Sequence, residues 1–149
     1  MGAVVPSHGK PEPPAPLAAY VPGVKIGNMI YTSGQLPTEN GELKYTGVID
    51  TDISEENGIK AARLSVLNCL GVVKSLCGSL DNVERIVKLT VFVCSDESFY
   101  NHPKIANGAS ELLLEIFGEA GKHARSAVGV SALPKGATVE IEMIAQIKV

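Results

Sequence analysis

Tryptophan is absent from this 149-residue chain, and aromatic residues make up only 5% of it. A platform of stacked rings, of the kind that holds single-stranded nucleic acid, is therefore not available. Cysteine occurs only three times, an odd and low count that does not suit the paired framework of a small secreted scaffold. The expectation is a reducing, cytoplasmic setting. No apolar run approaches the roughly 18 residues of a membrane span. The formal net charge is −3, and no basic stripe interrupts it, which argues against nucleic acid as a partner. Met1–Lys10 has no charged start leading into an apolar core, so it does not read as a secretory signal. Pro6 stands where a myristoylation pattern needs Ser or Thr.

What is present is a chain that is 45% hydrophobic and 19% charged. That is enough to build one domain with a real core and no staples. Six of the nine prolines fall between Pro6 and Pro22, and proline cannot donate the hydrogen bonds of helix or sheet. Residues 1–16 are thus expected to be an extended proline-rich tail, and residues 17–149 the folded domain.

Within that domain, Val24–Gly27 and Met29–Gln35 are β-prone runs around the turn pair Gly27-Asn28. A polar, glycine-containing segment follows, Leu36–Asp52. Ser54 can cap a helix whose first turn carries Glu55 and Glu56, anions at the positive end of its dipole. Ile59, Ala62, Val66, Leu70, Val73 and Cys77 continue it as a stripe of helical period, and Gly78 suits its stop. Val83–Cys94 reads as a long strand, with Val83, Val87, Leu89, Val91 and Val93 on one face. A second helix is predicted from near Pro103 to Phe117, with Ile105, Ala109, Leu112 and Ile116 inward and Gly118 at its end. Strands Arg125–Ala132 and Thr138–Lys148 close the chain.

Two strands, helix, strand, helix, two strands is an α+β layer in which two helices cover one face of a sheet. The other face holds too many apolar residues for water, so association with further copies is expected. The turn Leu133–Gly136 suggests that the last two strands pair as a hairpin. Period-two alternation then gathers Arg125, Ala127, Gly129 and Ser131 on a face with Thr138, Glu140 and Glu142. The spacing allows either a salt-bridge ladder or a site for a small anion, because the planar fork of Arg125 suits a carboxylate and a glutamate can activate water. His8, His102 and His123 are scattered, with no metal-ligand spacing. Cys69 and Cys77, eight residues apart on one helix, are expected in the core.

At these residues a resemblance emerges. His123-Ala124-Arg125-Ser126-Ala127-Val128-Gly129-Val130, then Leu133-Pro134, then Val139-Glu140-Ile141-Glu142, resembles the carboxyl-terminal signature of the YjgF/RidA (reactive-intermediate deaminase) family. Ala19-Tyr20-Val21, the run from Gly27 to Pro37, and Val87–Val93 extend the likeness over residues 17–149. Family membership implies a chorismate-mutase-like fold, assembled as a homotrimer with clefts between subunits. It also implies hydrolysis of 2-imino acids and 2-aminoacrylate to 2-oxo acids and ammonia, with no metal or organic cofactor. The resemblance places Arg125 on the family's carboxylate-binding arginine and Glu140 on the glutamate that holds the catalytic water. Tyr20, Ser33, Gly34, Asn107 and Ala127 fall on positions lining the cleft, the ligand being a small carboxylate metabolite. Many members carry cysteine where this chain has Ala127, which excludes thiol chemistry at that site. Asn40–Asp52 and the long first helix resemble a divergent, endoribonuclease-like branch. A non-catalytic carboxylate-binding trimer and an endoribonuclease or translation inhibitor therefore stay open as alternatives.

Overall fold

The computed structural model describes residues 19–149. The expectations for the proline-rich tail, 1–16, lie outside those residues. The chain runs β1 (Gly23–Ile26), β2 (Met29–Thr32), a small hairpin β3 (Thr38–Glu39) and β4 (Glu42–Leu43), α1 (Glu55–Cys77), β5 (Val83–Cys94), α2 (His102–Phe117), β6 (Ala124–Val130) and β7 (Val139–Ile147). Short 3₁₀ turns separate α1 from β5, α2 from β6, and β6 from β7. The main sheet has the order β1-β2-β7-β5-β6. Its pairs are antiparallel except β5 with β6, which is parallel.

Both helices form where capping and periodicity place them. The Ser54 side chain accepts the Asn57 N–H at 3.1 Å, and Gly78 ends α1 at φ 89°, where a Cβ would be strained. α1 buries Ala61, Ala62, Val66, Leu67, Leu70 and Val73, and α2 buries Ile105, Ala109, Leu112 and Leu113. These pack on Leu89, Val91, Val93, Val139, Ile141, Met143 and Ala145 of the sheet. Truncating one such side chain, Leu70→Ala for instance, typically costs about 2–5 kcal/mol. Glycines let the helices close up: a Cβ at Gly108 would overlap the Ile59 carbonyl of α1.

Among the described residues no helix covers the sheet's other face. Val24, Tyr31, Ile144 and Lys88 align across it in register, followed by rows of Glu142, Thr90 and Ser126 and of Glu140, Phe92 and Val128. Val24, Tyr31 and Val128 are each more than 40% exposed there. The expectation of an apolar, uncovered face therefore holds.

Two register expectations do not hold. β6 and β7 do not form a hairpin, because β5 lies between them. A strand–helix–strand crossover delivers β6 parallel to β5. The chain then turns over the end of β5 through Pro134–Gly136, with Lys135 at φ 58° and Gly136 at φ 75°. That connection is held across the top by the Thr46–Ala137 bridge and by the Cys94 N–H donating to the Thr138 carbonyl at 2.8 Å. The second difference is in β5, where register shifts between Val83 and Arg85 and between Ile86 and Lys88 each add a residue. Ile86 is thereby turned into the core and Val87 is not, reversing the simple alternation.

Candidate functional site

The guanidinium of Arg125 is the centre of the first cluster. Arg125 lies opposite Leu89 in the β5–β6 register, so its side chain rises on the helix-covered side, towards α2. There Nη1 donates to Asn107 Oδ1 at 2.9 Å and to Ser110 Oγ at 3.1 Å. Asn107 and Ser110 stand three residues apart, on one face of α2. The side chains of this cluster are neutral acceptors. Among the described residues no carboxylate comes within ion-pair distance of Arg125, although five other ion pairs form.

Ser110 has a further partner that sequence reasoning missed. Its Oγ lies 2.8 Å from His123 Nε2, and His123 Nδ1 lies 2.6 Å from the Gly121 carbonyl. His123 lies just before β6 and precedes Arg125 by two residues, and the two meet through Ser110 on α2. That spacing was visible in the sequence. The α2 residue between them was not, since it depends on how the helix sits over β6.

The second cluster surrounds Glu140. Glu140 aligns with Phe92, and Phe92 with Val128, on the uncovered face of the sheet. Gln35 and Ile141 exchange backbone hydrogen bonds, Gln35 N–H to Ile141 O at 2.7 Å and Ile141 N–H to Gln35 O at 3.0 Å. This lays Gly34 directly on the Glu140 side chain, and a Cβ there would stand 2.6 Å from Glu140 Oε2. The Ser33 hydroxyl donates to the Val21 carbonyl at 2.7 Å and the Ser33 N–H to the Pro22 carbonyl at 2.7 Å. Those bonds fasten the segment carrying Tyr20, whose side chain is half exposed. Partial burial, and then the neighbouring Glu142 carboxylate, push the Glu140 pKa above its usual range.

Arg125 and Glu140 therefore point to opposite sides of one sheet. The expected shared face followed from a β6–β7 hairpin, and with β5 interposed that alternation no longer applies. The small-residue lane beside Arg125 is also filled. Ala127 packs against the core, and a Cβ at Gly129 would overlap His102 Nε2, whose ring is 3.1 Å from Ser95 Oγ. Ser126 lies on the uncovered face, opposite Thr90, and not in the core. Val128, on the same uncovered face, is 43% exposed. Cys69 does lie in the core as expected, its thiol pushed up to about 12 by burial and so held protonated.

Residues 3–147 match the family described as "YjgF/chorismate_mutase-like, putative endoribonuclease". The chain is 41% identical to Protein TCP17 of Trypanosoma cruzi over 138 residues, covering 92% of this chain and 86% of that one. It is 37% identical to the 2-iminobutanoate/2-iminopropanoate deaminase of Escherichia coli K12 over 132 residues, covering 89% of this chain and 90% of the relative. The crystal structure of Atu1372, of unknown function, from Agrobacterium tumefaciens superposes with a TM-score of 0.85 at 42% identity, over 88% of this chain and 83% of that one. With the fold, the motifs and these matches in agreement, the chain belongs to the YjgF/RidA family.

Proposed function

We propose that this protein hydrolyses 2-imino acids and their 2-aminoacrylate tautomers to 2-oxo acids and ammonia, at clefts shared by neighbouring protomers. The observation that carries the reading is Arg125. It is a half-buried cation whose hydrogen bonds within the chain go to neutral acceptors, and whose charge no described acid neutralises. A cation so placed is a receptor for a small carboxylate, with bidentate geometry available.

The reaction needs little beyond this. Arg125 fixes the substrate carboxylate and so orients the adjacent imine carbon. A water that gives a proton to Glu140 adds its oxygen to that carbon, forming a carbinolamine. Glu140 returns that proton to nitrogen, then takes the carbinolamine hydroxyl proton and passes it to nitrogen as well, so that the C–N bond breaks, ammonia leaves and the carbonyl of the 2-oxo acid remains. The raised pKa of Glu140 brings its basicity closer to that of the group it must protonate. No thiol takes part, consistent with Ala127.

Because Arg125 and Glu140 lie on opposite faces, one protomer cannot supply both to one substrate. The homotrimer that the family resemblance implies would bring the Glu140, Gly34, Ser33 and Tyr20 cluster of one protomer to the Arg125 and Asn107 cluster of the next. The exposed Val24, Tyr31 and Val128 support burial of the uncovered face in that assembly. The test generates the imine in place with an amino-acid oxidase and traps it with semicarbazide. The wild-type chain should cut the semicarbazone yield, and Arg125→Ala should not, with the oligomer intact by size exclusion. A wild-type chain that leaves the yield unchanged overturns the proposal. If it still binds a 2-oxo acid, the non-catalytic carboxylate binder suggested by Ala127 takes its place.

A further inference from the structure

The Nη1 nitrogen of Arg125 carries two hydrogens, and both are committed, one to Asn107 Oδ1 and one to Ser110 Oγ. Among the described residues, what remains for a ligand is the Nε–Nη2 edge, a pair of parallel donors matched to the two oxygens of a carboxylate. Which edge faces outward is decided by the acceptors that hold Nη1. A serine hydroxyl holds an arginine reliably only if its own hydrogen points elsewhere.

His123 offers that hydrogen an acceptor. The Gly121 carbonyl can only accept, so His123 Nδ1 carries the hydrogen of the 2.6 Å contact. In the neutral ring Nε2 is then a lone pair. The Ser110 hydroxyl donates into it at 2.8 Å, leaving the oxygen's lone pairs for Arg125. The far end of this chain is rigid. A Cβ at Gly121 would overlap the Leu113 carbonyl of α2, so the backbone there is seated directly on the helix. The same turn is held by Arg85 Nη2 donating to the Lys122 carbonyl at 2.8 Å and by the Lys122–Glu119 ion pair.

We infer that His123 and Ser110 are positioning residues acting as one relay, running from the Gly121 carbonyl to Arg125, that fixes the guanidinium so its Nε–Nη2 edge receives the substrate carboxylate side-on. This rests on the proposed role of Arg125 as carboxylate receptor. Neither residue touches substrate. Their contribution is preorganisation: without them Arg125 must pay for its own ordering when ligand arrives.

The test is a double-mutant cycle read by calorimetric titration of the full-length chain with 2-oxobutanoate. His123→Ala and Ser110→Ala should each weaken binding about tenfold, and the double variant about tenfold too, because residues in one network are not additive. Arg125→Ala should abolish binding. If His123→Ala does not fold, His123→Phe keeps the ring's volume and removes both nitrogens. Binding unchanged in both single variants, or losses that multiply to about a hundredfold in the double variant, overturns the relay while leaving Arg125 as receptor. No binding by the wild-type chain removes the receptor itself, and the relay with it.

Discussion

Gly34 lies against the carboxylate of Glu140, so close that a Cβ on it would fall 2.6 Å from Oε2 and 2.8 Å from the carboxyl carbon. The neighbour is the end of a flexible side chain, not backbone, so a larger residue would displace the glutamate and leave the strand in place. Glycine at 34 is thus a condition on where the Glu140 oxygens stand.

Gly34→Ala is accordingly expected to reduce kcat with little change in KM, since the substrate carboxylate is held by Arg125, whose partners on α2 the substitution does not touch. A general base contributes about 10²–10⁴-fold, and its partial misplacement should cost about tenfold or more. Steady-state kinetics with oxidase-generated imine measures the split, and circular dichroism checks the fold. A variant with wild-type kcat would separate Glu140 from the chemistry.

The Glu140 carboxyl makes a prediction about pH. Burial, and after it the Glu142 charge, raise its pKa above the ordinary value of 4.5. If the ionised form is the base, activity should fall on the acid side through that raised pKa. Glu142→Gln removes the second cause and should move the acid limb to lower pH. Stability has the opposite dependence. The folded state holds this proton more tightly than the unfolded chain, so stability decreases as pH rises from 4.5 through the raised value and stays lower above it. Glu140→Gln should then raise the melting temperature at neutral pH, an advantage that disappears in acid. Thermal melts at pH 4 and pH 8 compare the two proteins, and an advantage that persists at the lower pH contradicts the assignment.

Elements were legible in the sequence where their signals are local. Ser54, Gly78, Pro103 and Gly118 mark helix ends through capping and backbone freedom, and α1 and α2 end where those residues place them. Strand neighbours are decided by global packing. The turn around Lys135 looks like a hairpin connection but carries the chain over β5, and period-two alternation, applied to the wrong partners, put Arg125 and Glu140 on one face. The two β5 bulges broke alternation only between them, where Ile86 replaces Val87 in the core; the second extra residue restores the phase, and Leu89, Val91 and Val93 are buried as expected. Arg125, Asn107, Gly34 and Glu140 came from the family signature. Ser110 and His123 did not, because neither type is informative until α2 is laid over β6 and the 2.8 Å contact is made.

The opposed orientation of Arg125 and Glu140 gives the most direct test of a shared cleft. An Arg125→Ala protomer keeps Glu140, and a Glu140→Gln protomer keeps Arg125, so each homogeneous variant lacks one half of every site. If each site takes its two halves from neighbouring protomers, mixed assemblies contain sites with both halves intact. Random 1:1 reassembly in a cyclic oligomer restores roughly a quarter of the sites, because each half is sound in about half the protomers. Imine hydrolysis should therefore reappear after the two inactive proteins are co-refolded or co-expressed, and not when they are mixed without subunit exchange. A site completed within one protomer predicts no recovery under any mixing, since every protomer would still carry one broken half. Recovery to about 25% of wild-type turnover would place the two residues on different chains of one cleft.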